Sequence, residues 1–189
     1  MLKKIIFAVI LIIFLLVPAK TFSLLYVGVG GDYIIPLAKL NDVNLDAYGF
    51  NLQLESRTYC KLWYGLRFDY IWLDPKLPVT ENYYESMLLI SPKVRYNFLP
   101  GNCFDYTGKI APYLQGMLSI SSIDGTDKKN LMGFGGAVGG GLVLGFQLFK
   151  TCMMFDLNAL YSAPNFIARA DGRPSLQMIN FNISLSVGL

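Results

Sequence analysis

The sequence predicts an all-β fold: a closed eight-stranded antiparallel up-and-down transmembrane β-barrel. Three observations carry that expectation. Apolar and polar side chains alternate with period two in eight segments of about ten residues, the length of a membrane-crossing strand. The connections alternate between long polar loops and mostly shorter turns. The apolarity, a mean hydropathy of +0.42 with only 15% charged residues, is spread along the chain rather than gathered in one run.

The 189 residues suffice for one domain with a sizeable core. They open as a secretory signal peptide does. Lys3 and Lys4 precede an uninterrupted apolar stretch of 13 residues, Ile5 to Val17. Small residues at Thr21 and Ser23 place cleavage after Ser23, with cleavage after Ala19 as the alternative. The apolar stretch falls short of the roughly 20 residues a spanning helix needs, and no cysteine near the cleavage region provides for a lipid anchor. The leader is therefore 1–23 and the barrel domain 24–189. Losing Lys3, Lys4 and Lys20 leaves 13 basic and 13 acidic residues, a balance that gives no support to a basic surface for nucleic acid or anionic lipid.

A pleated strand turns successive side chains to opposite faces, so each segment sorts into two sets. Segment 25–33 sets Leu25, Val27, Val29 and Tyr33 against Gly28, Gly30 and Asp32. Segment 47–55 sets Tyr48, Phe50, Leu52 and Leu54 against Asn51, Gln53 and Glu55. Segment 62–72 sets Leu62, Tyr64, Leu66, Phe68, Tyr70 and Trp72 against Arg67 and Asp69. Segment 87–98 sets Leu88, Ile90, Val94, Tyr96 and Phe98 against Ser91, Lys93, Arg95 and Asn97, with Pro92 in mid-strand predicting a bulge or a local register shift. Segment 110–121 sets Leu114, Leu118 and Ile120 against Gln115, Ser119 and Ser121.

Segment 133–149, "GFGGAVGGGLVLGFQLF", packs seven glycines into an apolar run. It lacks the phosphate-loop patterns G-x-x-x-x-G-K-[ST] and G-x-G-x-x-G. The spacing of Gly136 and Gly140 suits a packed membrane helix, but so many glycines make a poor one. As a strand, most of the glycines fall on the face that is polar elsewhere, opposite Phe134, Val138, Leu142, Leu144, Phe146 and Leu148, and leave room for large neighbours. Segment 152–162 sets Met153, Phe155, Leu157, Ala159 and Tyr161 against Asp156, Asn158 and Ser162. The last, 180–189, sets Phe181, Ile183, Leu185, Val187 and Leu189 against Asn180, Asn182, Ser184, Ser186 and Gly188.

Long connections at 34–46, 73–86, 122–132 and 163–176 alternate with those near 56–61, 99–109 and 149–152. An even strand number, that loop asymmetry and an apolar outward band are the pattern of an outer-membrane barrel. Aromatic residues gather near strand ends: Tyr33, Tyr48, Tyr70, Trp72, Phe134 and Tyr161 at one rim, Tyr64, Phe98, Phe146 and Phe155 at the other, as for two interfacial girdles. Over residues 24–189 the pattern resembles the small eight-stranded outer-membrane barrels of Gram-negative bacteria, the OmpA/OmpX-like group, with "APYLQGMLSIS" (111–121), the glycine-rich strand and the closing "NFNISLSVGL" (180–189) as the nearest local matches. The resemblance implies a place in the outer membrane of the cell envelope, among porin-like barrels. It also implies outer-membrane lipid and lipopolysaccharide as surroundings, and assembly machinery that reads the C-terminal strand.

A barrel of this size is filled by its own side chains. The inward set then holds Asp32, Glu55, Asp69 and Asp156 against Arg67, Lys93 and Arg95. Unpaired, each would cost several kcal/mol, so they are expected to form an interior polar network that plugs the barrel, with a narrow ion path as the alternative. The chain has no histidine, which excludes Ser-His-Asp and Cys-His catalysis and histidine-ligated metal. Among enzymes only a carboxylate pair remains, Asp69 with Glu55. No cofactor, metal or nucleic acid is expected. Cys60, Cys103 and Cys152 fall in or beside the three predicted periplasmic turns; Cys60 with Cys103 is the first candidate disulfide, three unpaired thiols the alternative. The expected role is non-enzymatic, structural or surface-interacting, through loop residues such as Tyr83, Tyr84, Lys128, Lys129, Arg169 and Arg173. A soluble lipid-binding, lipocalin-like barrel with its apolar face turned inward is the competing class.

Overall fold

The computed structural model describes residues 25–57, 61–76, 84–99, 107–125, 131–149, 151–168 and 175–189. The expected leader lies outside them. Eight strands follow one another: β1 (Leu25–Leu37), β2 (Ala47–Arg57), β3 (Leu62–Trp72), β4 (Tyr84–Asn97), β5 (Ile110–Gly125), β6 (Leu131–Leu148), β7 (Thr151–Ala168) and β8 (Gln177–Gly188). Each is antiparallel to its neighbour in sequence, and β1 pairs with β8 from Tyr26↔Gly188 to Leu37↔Gln177, so the sheet closes on itself in up-and-down order. Closure satisfies the backbone groups that an open edge would leave bare.

The faces sort as the alternation predicts. Val29 (56% exposed), Val138 (62%) and Ile183 (55%) lie on the outer surface, whereas Asp32, Arg67, Asn182 and their neighbours are buried inside. The lipocalin-like alternative required the reverse and is overturned. Aromatic contacts line the loop end: across strands the Phe50 ring lies 5.7 Å from Trp72 and Tyr33 lies 5.5 Å from Tyr48, and along β3 Tyr70 meets Trp72 edge-on at 4.9 Å. At the turn end Tyr96 meets Phe98 edge-on at 5.7 Å. Phe50 and Tyr96 thus join rims to which the sequence reading did not assign them.

Three features depart from the expectations. First, several strands run past their predicted outer ends, β7 as far as Ala168, because the ladder continues after the alternation has faded. Second, the loop before β2 folds into one helical turn and a half, α1 (Ala38–Val43), whose Leu40 is fully buried in the mouth of the barrel. Third, Pro92 causes no register shift. Ile90↔Ile120 and Lys93↔Met117 keep the same β4–β5 register, and only the rungs between them are missing. Pro92 still pairs with Leu66 on its other side, so the absent N–H faces β5 alone.

The irregularities lie elsewhere. One separates Tyr84 from Ser86. The other is in β7, where the two steps from Gly136 to Phe134 on β6 match the five from Ala163 to Ala168. Gly135 sits under this bulge: a Cβ there would come 2.5 Å from the Pro164 carbonyl carbon. Gly141 has the same role lower down, since its Cβ would fall 2.7 Å from both the Tyr113 hydroxyl and the Asn158 Cβ. The glycine face of β6 is the recess into which large interior side chains fit.

Candidate functional site

The interior is built in three layers. At the turn end Tyr26, Trp63, Ala111, Tyr113, Val143, Cys152 and Met154 form a buried apolar cluster, with Tyr26 and Trp63 stacked at 4.9 Å. At the loop end Ile34, Ile71, Met87, Leu89, Ile123 and Met178 form a second one, closed above by Leu40 of α1. Tyr84 belongs to this upper cluster, so it is core rather than the exposed loop contact expected of it. Tyr83, Lys128, Lys129, Arg169 and Arg173 lie outside the described residues.

Between the apolar layers lie the seven charged residues singled out in the sequence, in two linked groups. Arg67, from β3, donates to Asp32 and to Asp69, each at 2.6 Å. Asn51 (2.7 Å) and Asn182 (3.1 Å) add bonds to the Asp32 carboxylate. Below, Arg95 reaches Glu55 at 3.2 Å and Asp156 at 3.0 Å, and Lys93 is ion-paired with Glu55. The Tyr113 hydroxyl donates to Asp156 at 2.5 Å, and Lys93 donates to Gln53 at 2.8 Å. Asn158 joins the groups, its Nδ2 donating to Asp156 Oδ1 and to Asn182 Oδ1 at 2.9 Å each. Arg95 also lies between two rings, with its guanidinium carbon 4.2 Å from the Tyr113 centroid and 5.1 Å from that of Trp63.

Chemically this is a cross-braced lattice. Strand alternation brings the side chains in, the closed ring places strands from opposite walls within reach, and each carboxylate engages a cation. Asp69 and Glu55, the one carboxylate pair that could have been catalytic, are held apart on different cations, Asp69 on Arg67 and Glu55 on Lys93 and Arg95. Sequence reasoning missed the neutral partners Tyr113, Trp63 and Tyr26. Their inward parity was readable, but aromatic residues at strand ends also suit a girdle.

The outer mouth has its own bracing. Asn44, fully buried, donates to the carbonyls of Tyr84 (2.8 Å) and Asp74 (3.2 Å), tying the first loop to the second and to β4. At the opposite end Cys152 is disulfide-bonded. This overturns the expected Cys60–Cys103 pair, which would leave Cys152 as the free third thiol; Cys60 and Cys103 themselves lie outside the described residues. The expectation linked neighbouring turns and overlooked that Cys152 has inward parity, which directs it into the mouth.

The sequence matches no protein-family model and no curated protein. Among solved structures the barrel is similar to Neisserial surface protein A, with a TM-score of 0.63 at 14% identity, covering 86% of this chain and 96% of that one. A second match is Ail, the attachment invasion locus protein of Yersinia pestis, solved with the heparin analogue sucrose octasulfate, with a TM-score of 0.44 at 11% identity over 88% of this chain and 97% of that one. At 14% identity the first likeness is one of fold, and at that level the resemblance to small eight-stranded barrels is borne out.

Proposed function

We propose that the chain is a non-enzymatic integral protein of a Gram-negative outer membrane, exported by residues 1–23, with a structural or surface-interacting role exercised through its outer loops. The observation that carries this reading is the inversion of the usual soluble pattern: an apolar outer band with aromatic rims surrounds an interior of ion pairs. Lipid, including lipopolysaccharide, is the partner such a band requires, and β8 is the segment offered to assembly machinery. The surface protein of similar fold supports the same placement.

The layered interior favours a plug over an ion path, since an ion would have to pass two apolar clusters and a layer in which each of the four carboxylates engages a cation. The reading is tested by electrophoresis of the membrane fraction in SDS, boiled against unboiled. Closed membrane barrels stay folded until heated, so two mobilities are expected. One mobility, with the protein in the soluble periplasmic fraction, would overturn it.

A further inference from the structure

The net charge of zero after the leader conceals a sharp segregation. The connections and strand ends at the turn end carry Arg57, Lys61, Lys109 and Lys150 against Asp105 alone, whereas those at the loop end carry two more acids than bases. Arg57, Lys61 and Lys109 stand at the ends of β2 and β3 and at the start of β5, with the end of β4 between the last two. The strand ends are directly joined: the Asn97 N–H donates to the Lys61 carbonyl at 2.8 Å, and the Phe98 N–H to the Pro112 carbonyl at 3.0 Å. Among the described residues no ion pair ties any of the three cations to a carboxylate. At the same strand ends Tyr96, Phe98, Leu99 and Ile110 are exposed, and the Lys61 ammonium lies 5.8 Å from the Tyr96 ring; Arg57 is the rung partner of the buried Trp63 and so closes β2 at the rim of the lumen.

From this arrangement we infer that the turn-end rim is a binding collar for anionic phospholipid headgroups. Resting on the membrane placement above, it gives the contacting leaflet a chemical identity. Exposed aromatic and aliphatic side chains seat a rim at the hydrocarbon boundary. Long basic side chains there extend along apolar surface with their charges at headgroup depth. Three cations on adjoining strands, tied to no carboxylate among the described residues, then select phosphates that carry net negative charge, and zwitterionic headgroups do not repay the same desolvation. The overall charge balance gave no support to such a surface because the compensating acids belong to the loop end and, in excess of one, to the lumen.

The test is electron spin resonance of the folded full-length barrel in phosphatidylcholine vesicles containing spin-labelled phosphatidylglycerol or spin-labelled phosphatidylcholine. A motionally restricted lipid fraction reports insertion, and the ratio of the two restricted fractions reports selectivity. The expected result is a preference of roughly threefold or more for phosphatidylglycerol, falling to about one in the Arg57→Gln/Lys61→Gln/Lys109→Gln variant and retained in Lys39→Gln/Lys76→Gln at the other end. Sodium chloride at high concentration, applied to the unaltered protein, is expected to remove the preference likewise, which keeps the test decisive if the triple variant fails to fold. Restricted lipid with no preference, or a preference that survives both the triple variant and salt, would overturn the collar and leave the membrane placement standing. Absence of any restricted fraction would overturn both.

Discussion

Arg67 shows how much of the interior hangs on single side chains. It is 1% exposed and is the cation common to Asp32 and Asp69. Replacing it with methionine keeps the volume but leaves two buried carboxylates facing each other. Breaking a buried pair from one side typically costs about 3–5 kcal/mol, so Arg67→Met is expected to lower the urea midpoint of the folded barrel markedly. Removing the charge on all three sides, as Arg67→Met/Asp32→Asn/Asp69→Asn, which keeps a side-chain acceptor for Asn51 and Asn182, is expected to recover most of that loss, and failure to recover it would refute the pairing account. The glycines of β6 make the converse point. A valine at Gly141 would overlap the Tyr113 hydroxyl and displace it from Asp156; overpacking of this kind costs about 1–3 kcal/mol, read as a lower temperature for conversion of the unboiled band. These residues were legible in the sequence because a charge or a glycine on the face opposite an outward apolar stripe has only the lumen to occupy. Trp63 and Tyr26 were not, because an aromatic residue at a strand end satisfies the girdle and the plug equally well.

Strands and caps differ in how plainly they declare themselves. β8 alternates without a break and its faces follow from parity alone, whereas α1 is only six residues long, with an uncapped start and Ala38 at φ 47°. Nothing in "LAKLNDVNLD" (37–46) outweighs the turn chemistry around it; the helix forms because Leu40 finds an apolar mouth to fill, a tertiary contact that local sequence does not encode. Leu40→Ala is therefore expected to destabilise by about 2–5 kcal/mol and to raise the rate of proteolysis in the first loop, while the strands of the barrel stay protected. Pro92 was legible as an irregularity but not in kind, since a missing donor on one side of a strand removes rungs without moving the register. Pro92→Val would return an N–H facing β5. A gain of about 0.5–1.5 kcal/mol is expected from the restored hydrogen bond, seen as a higher urea midpoint, and a loss would mean that the proline sets a local twist the barrel needs.

The layers act together only at the scale of the whole barrel. Each addresses a different problem: the upper apolar cluster gives α1 something to pack on, the ionic middle lets strands on opposite walls brace one another, and the lower cluster surrounds Cys152 and the stacked rings. A path for ions would have to breach all three, and opening one leaves two in series. Single-channel recording in planar bilayers is accordingly expected to show no discrete conductance for the unaltered barrel. Leu40→Ala, which loosens only the upper closure, is expected to be as silent, because the Arg67 and Arg95 groups still span the lumen beneath it. Silence must coincide with the folded, heat-modifiable band in the same preparation, so that it reports a closed barrel rather than a missing one. Discrete openings in the unaltered protein would mean that the ionic layer rearranges as a gate and that its paired charges line a route. Openings that appear only in the Leu40 variant would instead place the barrier at the outer mouth and reduce the lattice below it to a wall lining.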